Sequence, residues 1–357
     1  MARGREQASI REIAKRLDLS IATVSRALNG FESVNEETRR RVQQVADELG
    51  YQRRIAERQM RVIGLLYGGE PVRTEWGSFD SAVLDGIREA THARGWDLTL
   101  LSAQQRESAD ESYRQFLRYR NVPGVIVRSI QPEPVTAVRV AEEGIPSVMI
   151  ANRSSKPGVN YIYTEMREHT VLLIEHLIGL GHRRIGLSLH GILDHDHRAR
   201  HDSYLEALRR HGIEADPALI VQASELGSPR VGARAVERLL SLENPPTAIF
   251  LTDPLSTVGA LHRLLTLGIR APQEVSIVGV DDSDVRFRTF PVYTAVCQDA
   301  TGLGRRAARW LIESIAGDET APLREAMGAT LSIHDSTAVA ASKPVRLKHD
   351  GTKYVRA

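Results

Sequence analysis

Residues 9–29, SIREIAKRLDLSIATVSRALN, decide the architecture of the amino-terminal end. They read as two short amphipathic helices joined by a polar turn, a helix-turn-helix. Ser9 and Glu12 stand at the spacing at which two side chains cap one another's backbone N–H groups, and Ile10, Ile13, Ala14 and Leu17 share one face. Asp18 and Leu19 turn the chain, and Ser20 is placed to cap a second helix whose inward face is Thr23, Val24, Ala27 and Leu28. The other face holds Ile21, Ala22, Ser25, Arg26 and Asn29. It combines small side chains that allow close approach, hydroxyl and amide groups suited to phosphate oxygens, and a guanidinium able to grip guanine O6 and N7. Gly30 ends this helix. Asn35 begins a third, with Glu36 and Glu37 at its positive end, Val42, Val45, Ala46 and Leu49 as its buried stripe, and Gly50 as its stop. A plain helical bundle is the alternative, but capping, turn length and face chemistry together favour a domain that reads DNA.

Charge agrees with that reading. The whole chain is nearly balanced at +2, yet residues 1–61 hold 13 Lys and Arg against 9 Asp and Glu, a net of +4, and the remainder holds 34 against 36, a net of −2. The positive excess sits where DNA would. A single cysteine, Cys297, precludes an intramolecular disulfide, and no amino-terminal apolar run has the length of a signal or membrane segment. A cytoplasmic protein with no membrane partner is expected.

From about residue 62 the pattern changes to short apolar runs alternating with helical stretches: VIGLLY, WDLTLL, GVIVRSI, PSVMIA, RRIGLSL, TAIFL and VSIVGV. Such alternation predicts parallel sheets flanked by helices, and about 280 residues of it favour two lobes over one. In open sheets of this kind ligands bind off the carboxyl ends of the strands. The expected architecture is an all-α helix-turn-helix domain at 1–50, a linker at 51–61, an α/β core of two doubly wound lobes at 62–341, and a disordered basic tail at 342–357.

The words IREIAKRLDLSIATVSRALNG and VNEETRRRVQQVADELGY resemble the lac repressor and gal repressor family of bacterial transcription factors. That resemblance implies that Ile21, Ala22 and Arg26 face base edges in the major groove with Arg11 nearby, and that Ser20, Thr23, Ser25 and Asn29 hold phosphates. GIPSVMIANR, EHLIGLGHRRIGL, PPTAIFLTD, VSIVGVDD and TAVCQDATGLGRRAARWLIESIAG resemble the family's periplasmic-binding-protein-like core, which closes two lobes on a small molecule. The positions matching its effector contacts are Phe79, Asp80, Arg128, Arg200, Thr252 and Asp281. Arg200 and Asp281 suit sugar hydroxyls, which want a fork of donors opposite a fixed acceptor, although a structural ion pair is the alternative for either. Asp253 precedes Pro254 and reads as a helix cap rather than a ligand. The resemblance thus implies an effector-controlled repressor that binds a near-palindromic operator as a homodimer through its core.

Several departures bear on the effector. An aromatic that often stacks on the family's ligand falls near Gly227, while Trp76, from a longer loop after the first strand, joins Phe79 as a possible apolar face. Ala151 replaces a common Asp, and Arg128, Arg153, Arg198 and Arg200 would crowd the cleft with positive charge, which opens an acidic sugar such as a uronate beside a neutral one. The family's Tyr-x-Pro-Asn linker is replaced by YQRRIAERQM, where Met60 is the counterpart of a minor-groove wedge and Arg53 and Arg54 would make phosphate contacts; a hinge helix and a basic tether both remain open. HGILDHDHRARH, with His190, Asp194, His195, Asp196, His197 and His201, reads as a polar loop at the cleft rim rather than a metal site, since it lacks a regular ligand spacing. No phosphate loop, nucleophile elbow or acid–base constellation is visible, so neither catalysis nor a cofactor is expected.

Overall fold

The computed structural model describes residues 9–28, 34–49, 61–67, 77–106, 111–190, 194–223, 227–318 and 320–357, in two units divided between Met60 and Arg61. Asn29, Gly30, the linker residues Arg53, Arg54 and Met60, and Trp76 lie outside the described residues.

The first unit is the three-helix head: α1 (Ile10–Leu17), α2 (Ile21–Leu28) and α3 (Glu36–Glu48). The Ser9 N–H donates to Glu12 Oε2 at 3.3 Å, Thr23 N–H to Ser20 Oγ at 3.0 Å, and Thr38 N–H to Asn35 Oδ1 at 2.8 Å, so each helix starts on a side chain that satisfies an orphan group. Asp18 ends α1 in the left-handed region (φ 53°). Ile13, Val24 and Val42, one from each helix, are fully buried against one another. Each such side chain contributes roughly 1.5–3 kcal/mol, which matters in so small a domain.

The second unit holds two lobes of the same winding. The first contains β1 (Val62–Tyr67), α4 (Ser78–His92), β2 (Asp97–Ser102), α5 (Tyr113–Tyr119), β3 (Val125–Arg128), α6 (Val135–Glu142), β4 (Ser147–Ile150) and β5 (Tyr161–Glu165). The chain then crosses to form α7 (Arg167–Gly179), β6 (Ile185–His190), α8 (His195–Arg210), β7 (Ile220–Ala223), α9 (Pro229–Leu240), β8 (Ala248–Leu251), α10 (Pro254–Thr266), β9 (Ser276–Asp281) and β10 (Thr294–Cys297). It returns for α11 (Ala300–Ala316) and β11 (Arg324–Gly328), and crosses again, through Ala329 alone, into β12 (Thr330–Ser332). Among the described residues the strands order as β2-β1-β3-β4-β5-β11 and β7-β6-β8-β9-β10-β12. All pairs are parallel except β10 with β12.

β4, β8 and β9 are buried along their whole length because helices cover both faces, which is why they read as unbroken apolar runs. Helices α4 and α11 meet so closely that a Cβ on Gly86 would stand 1.8 Å from the Thr301 carbonyl oxygen. No described helix is long and apolar enough to cross a membrane.

The tail corrects an expectation. Residues 342–357 are not a disordered extension: β13 (Leu347–His349) and β14 (Tyr354–Arg356) form an antiparallel hairpin. Its turn is built by Asp350, whose Oδ1 accepts from the N–H groups of Thr352 and Lys353 at 2.9 Å each, with Gly351 at φ 104°. Val345 and Leu347 are buried in the second lobe's core beside Ile269, and Arg356 pairs with Glu274. Two apolar anchors and a turn that needs Gly outweigh the basic composition.

Candidate functional site

On the head, burial of Val24 and Ala27 against the other helices leaves Ile21, Ala22 and Arg26 exposed on the opposite side of α2, with Arg11 of α1 also exposed. Ile21 is 49% exposed. The Arg26 Nε donates back to the Ala22 carbonyl at 3.3 Å. Among the described residues the terminal amino groups of the guanidinium have no other partner, which suits them to a base edge or a phosphate. Ser20 and Thr23 share a 2.8 Å hydrogen bond between hydroxyls, so both are oriented at the amino end of α2, where backbone N–H groups and the helix dipole favour an anion. Ser25 is half-buried.

In the core, the carboxyl ends of both sheets face a cleft between the lobes, and the lobes touch across it. Ser78, in the first turn of α4, donates to Asp282 Oδ2 at 3.1 Å. Gln298, at the crossing between β10 and α11, donates to Asp282 Oδ1 at 2.6 Å. Burial pushes the Asp282 carboxyl up to about 6, outweighing the Gln298 hydrogen bond and the positive charge of Arg200.

Arg200 lies on α8. It is 7% exposed; its Nη1 donates to the Thr252 carbonyl at 3.1 Å and its Nη2 to Met166 Sδ at 3.5 Å, while Nε has no partner. Among the described residues no carboxylate stands within ion-pair distance of it. A buried guanidinium so placed is costly until acceptors arrive. Thr252 holds this arginine through its carbonyl; its own hydroxyl donates to the Ser188 carbonyl at 3.2 Å.

Asp281 departs from expectation. It does not face Arg200: its Oδ1 accepts the N–H groups of Asp282 at 3.1 Å and Val285 at 3.0 Å, and Oδ2 pairs with Arg286. β9 ends at Asp281, and it is the next residue, Asp282, that reaches the other lobe through Ser78. The structural ion pair is realised at Asp281, with Arg286 as partner.

Nor is the expected crowd of arginines assembled. Arg128 Nε donates to Asp80 Oδ1 at 2.9 Å with its guanidinium 5.0 Å from the Phe79 ring centre, so those three candidates form one closed cluster. Arg153 donates to the Tyr163 hydroxyl at 3.2 Å and lies 3.9 Å from Glu165, and Arg198 is exposed. Asp253 caps α10, accepting the Ser256 N–H at 2.8 Å. The run expected to be a rim loop is, from His195 onward, the start of α8, because Asp194 caps it by accepting the His197 N–H at 2.9 Å and bonding His197 Nδ1 at 2.7 Å. Among the described residues no group of three His, Cys, Asp or Glu is arranged to hold a metal ion. A small cavity between β5 and α8 is lined by Arg153, Tyr163, Thr164, Glu165 and Asp196 among others. Thr164, Asp196 and Asp282 are not among the ligand contacts expected from the sequence, although Asp282 ends the VSIVGVDD run and Asp196 lies in HGILDHDHRARH.

Residues 9–54 match the bacterial regulatory proteins of the lacI family, and residues 174–337 match a periplasmic binding protein-like domain. The chain is similar to the HTH-type transcriptional repressor PurR of Escherichia coli O139:H28, at 28% identity over 324 residues that cover 88% of this chain and 92% of the relative. PurR of Mannheimia succiniciproducens is 25% identical over 328 residues, 92% of this chain and 96% of its own. Among solved structures, a CelR–cellobiose complex superimposes with a TM-score of 0.65 at 27% identity, covering 92% of this chain and 100% of that one. The lac repressor dimer bound to operator and an anti-inducer shares the fold with a TM-score of 0.66 at 22% identity, covering 93% and 100%.

Proposed function

Because the chain is a DNA-binding transcriptional regulator of the lacI family, with that family's helix-turn-helix domain joined to a periplasmic-binding-protein-like core, we propose that a carbohydrate bound between its two lobes controls its grip on an operator. The observation that carries this reading is Arg200, a buried cation with an unpartnered Nε and, among the described residues, no carboxylate within ion-pair distance. Sugar hydroxyls are the acceptors it lacks, and Asp282, in the same lobe, supplies an acceptor for hydroxyl donors. The similar CelR was solved with cellobiose, which supports a sugar here.

The regulator acts in the cytoplasm as a homodimer on a near-palindromic operator, since one helix-turn-helix reads few base pairs and two half-sites raise specificity. Leu265 and Phe290, 74% and 97% exposed on the second lobe, are apolar side chains available for that pairing. A gel shift on candidate operator DNA, repeated with a panel of sugars, tests the reading. Sequence-specific binding altered by one sugar supports it; specific binding that no small molecule alters removes the effector, and absence of specific binding removes the regulator.

A further inference from the structure

Resting on the reading of the cleft as the effector site, we propose that the effector is an amino sugar whose ammonium group docks against Asp196 while its hydroxyls reach Thr164 and Arg200. The charges around the cleft point this way. The second lobe contributes Asp194, Asp196, Asp253 and Asp282, and the first contributes Asp80 and Glu165, against Arg128, Arg153, Arg198 and Arg200. Most of these carboxylates have donors of their own. Asp80 has Arg128, Asp194 has His197 and the backbone of α8, Asp253 has the backbone of α10, and Asp282 has Gln298 and Ser78.

Asp196 has none. It is half-buried in the cavity between β5 and α8, with no hydrogen bond and no ion pair among the described residues. Burial, and the nearby Asp194 carboxylate, push its carboxyl upward against the downward pull of the Arg200, His197 and Arg128 charges, none of which reaches it with a hydrogen bond. A second group in the same cavity is also unanswered: Thr164, 3% exposed, has a hydroxyl with no partner. A uronate would add another negative charge beside Asp196, and a neutral sugar would leave that carboxylate desolvated and unpaired. An ammonium group makes charge-assisted hydrogen bonds to it, and the neighbouring hydroxyls of the same ring match Thr164 and the free Nε of Arg200.

The test is calorimetric titration of the full chain with glucose, galactose and mannose, each as the parent sugar, the 2-amino sugar and its N-acetyl derivative, together with glucuronate and galacturonate. An amino sugar is expected to bind about tenfold or more tightly than its parent and its N-acetyl form, with Asp196→Asn and Asp196→Ser each abolishing that preference. The proposal is overturned if a parent, N-acetyl or acidic sugar binds as tightly as the amine. It is also overturned if the preference survives both substitutions, or if no amino sugar binds at about 50 mM. Operator gel shifts run alongside separate the two levels: a neutral sugar that binds and alters operator affinity removes the amine and keeps the carbohydrate-controlled regulator. If no sugar of any charge binds, both are removed.

Discussion

Ser78 and Asp282, 204 residues apart in sequence and in different lobes, share a 3.1 Å hydrogen bond across the cleft. The bond exists only when the lobes are together, so it reports closure directly. A ligand shifts such an equilibrium only by binding the two lobe arrangements with different affinity, and contacts to groups beside this bond are the means of doing so.

Asp282 should give closure and stability a pH dependence. Its carboxyl is raised to about 6, chiefly by burial, so the folded protein favours the protonated form. That contribution is full below about pH 4 and is lost as pH rises through 6. Asp282→Asn cannot titrate, so the variant should gain on the wild type by roughly 2–3 kcal/mol between pH 4 and pH 7. Urea denaturation at a series of pH values measures this; a difference that stays flat would show a carboxylate ionised throughout.

Arg200 should trade stability for response. Replacing it with Met keeps the stem and removes a buried charge that lacks a counter-ion, so the ligand-free protein should be unchanged or about 1 kcal/mol more stable. Effector affinity should meanwhile fall by roughly 1–3 kcal/mol. Denaturation together with calorimetry checks both, and a loss of several kcal/mol of stability without ligand would make Arg200 a structural residue.

These two residues also show what the sequence discloses and what it hides. The helices of the head are legible because capping and periodicity are local: Ser9, Ser20 and Asn35 announce their helices within four residues. Strands such as β9 are legible because burial on both faces makes them continuously apolar. β11, REAMG, is not, since it alternates between exposed and half-buried positions and its pairing with β5 joins Arg324 to Tyr161. Asp253 as a cap is legible from the proline that follows it. The choice between Asp281 and Asp282 is not, because it depends on where β9 ends and how the chain turns after it, and two identical residues in succession carry no sign of that. Asp196 stayed hidden for a different reason: its significance is the absence of a partner, which only the packed structure displays.

Arg26 should read a base. Its guanidinium is exposed on α2, so Arg26→Ala should relax preference at one symmetric position of the operator, at a cost of roughly 1–3 kcal/mol. Binding titrations on operator variants measure this. Equal loss on specific and random DNA would mark a phosphate contact instead.

Leu347 should matter to the core. It is 2% exposed among side chains of the second lobe, so Leu347→Ala should cost roughly 2–4 kcal/mol in urea denaturation. A tail that only trails from the domain would make the substitution silent.

Leu265 and Phe290 should hold two copies together. Leu265→Asp combined with Phe290→Asp places charges at two exposed apolar positions and should give a monomer in sedimentation at micromolar concentration. Operator affinity should fall with it by about two orders of magnitude, since the second half-site is no longer tethered to the first. A dimer that survives both charges would place the interface elsewhere.

The repeated crossings of the core have a consequence in time. The first lobe is finished only by β11, ending at Gly328, whereas α3 ends at Glu48, 280 residues earlier. At a synthesis rate of about 5–20 residues per second, this interval lasts on the order of a quarter of a minute to a minute. Throughout it, every newborn chain carries a completed DNA reader and an incomplete sensor, so each molecule passes an early life in which it can search DNA but cannot yet answer to an effector.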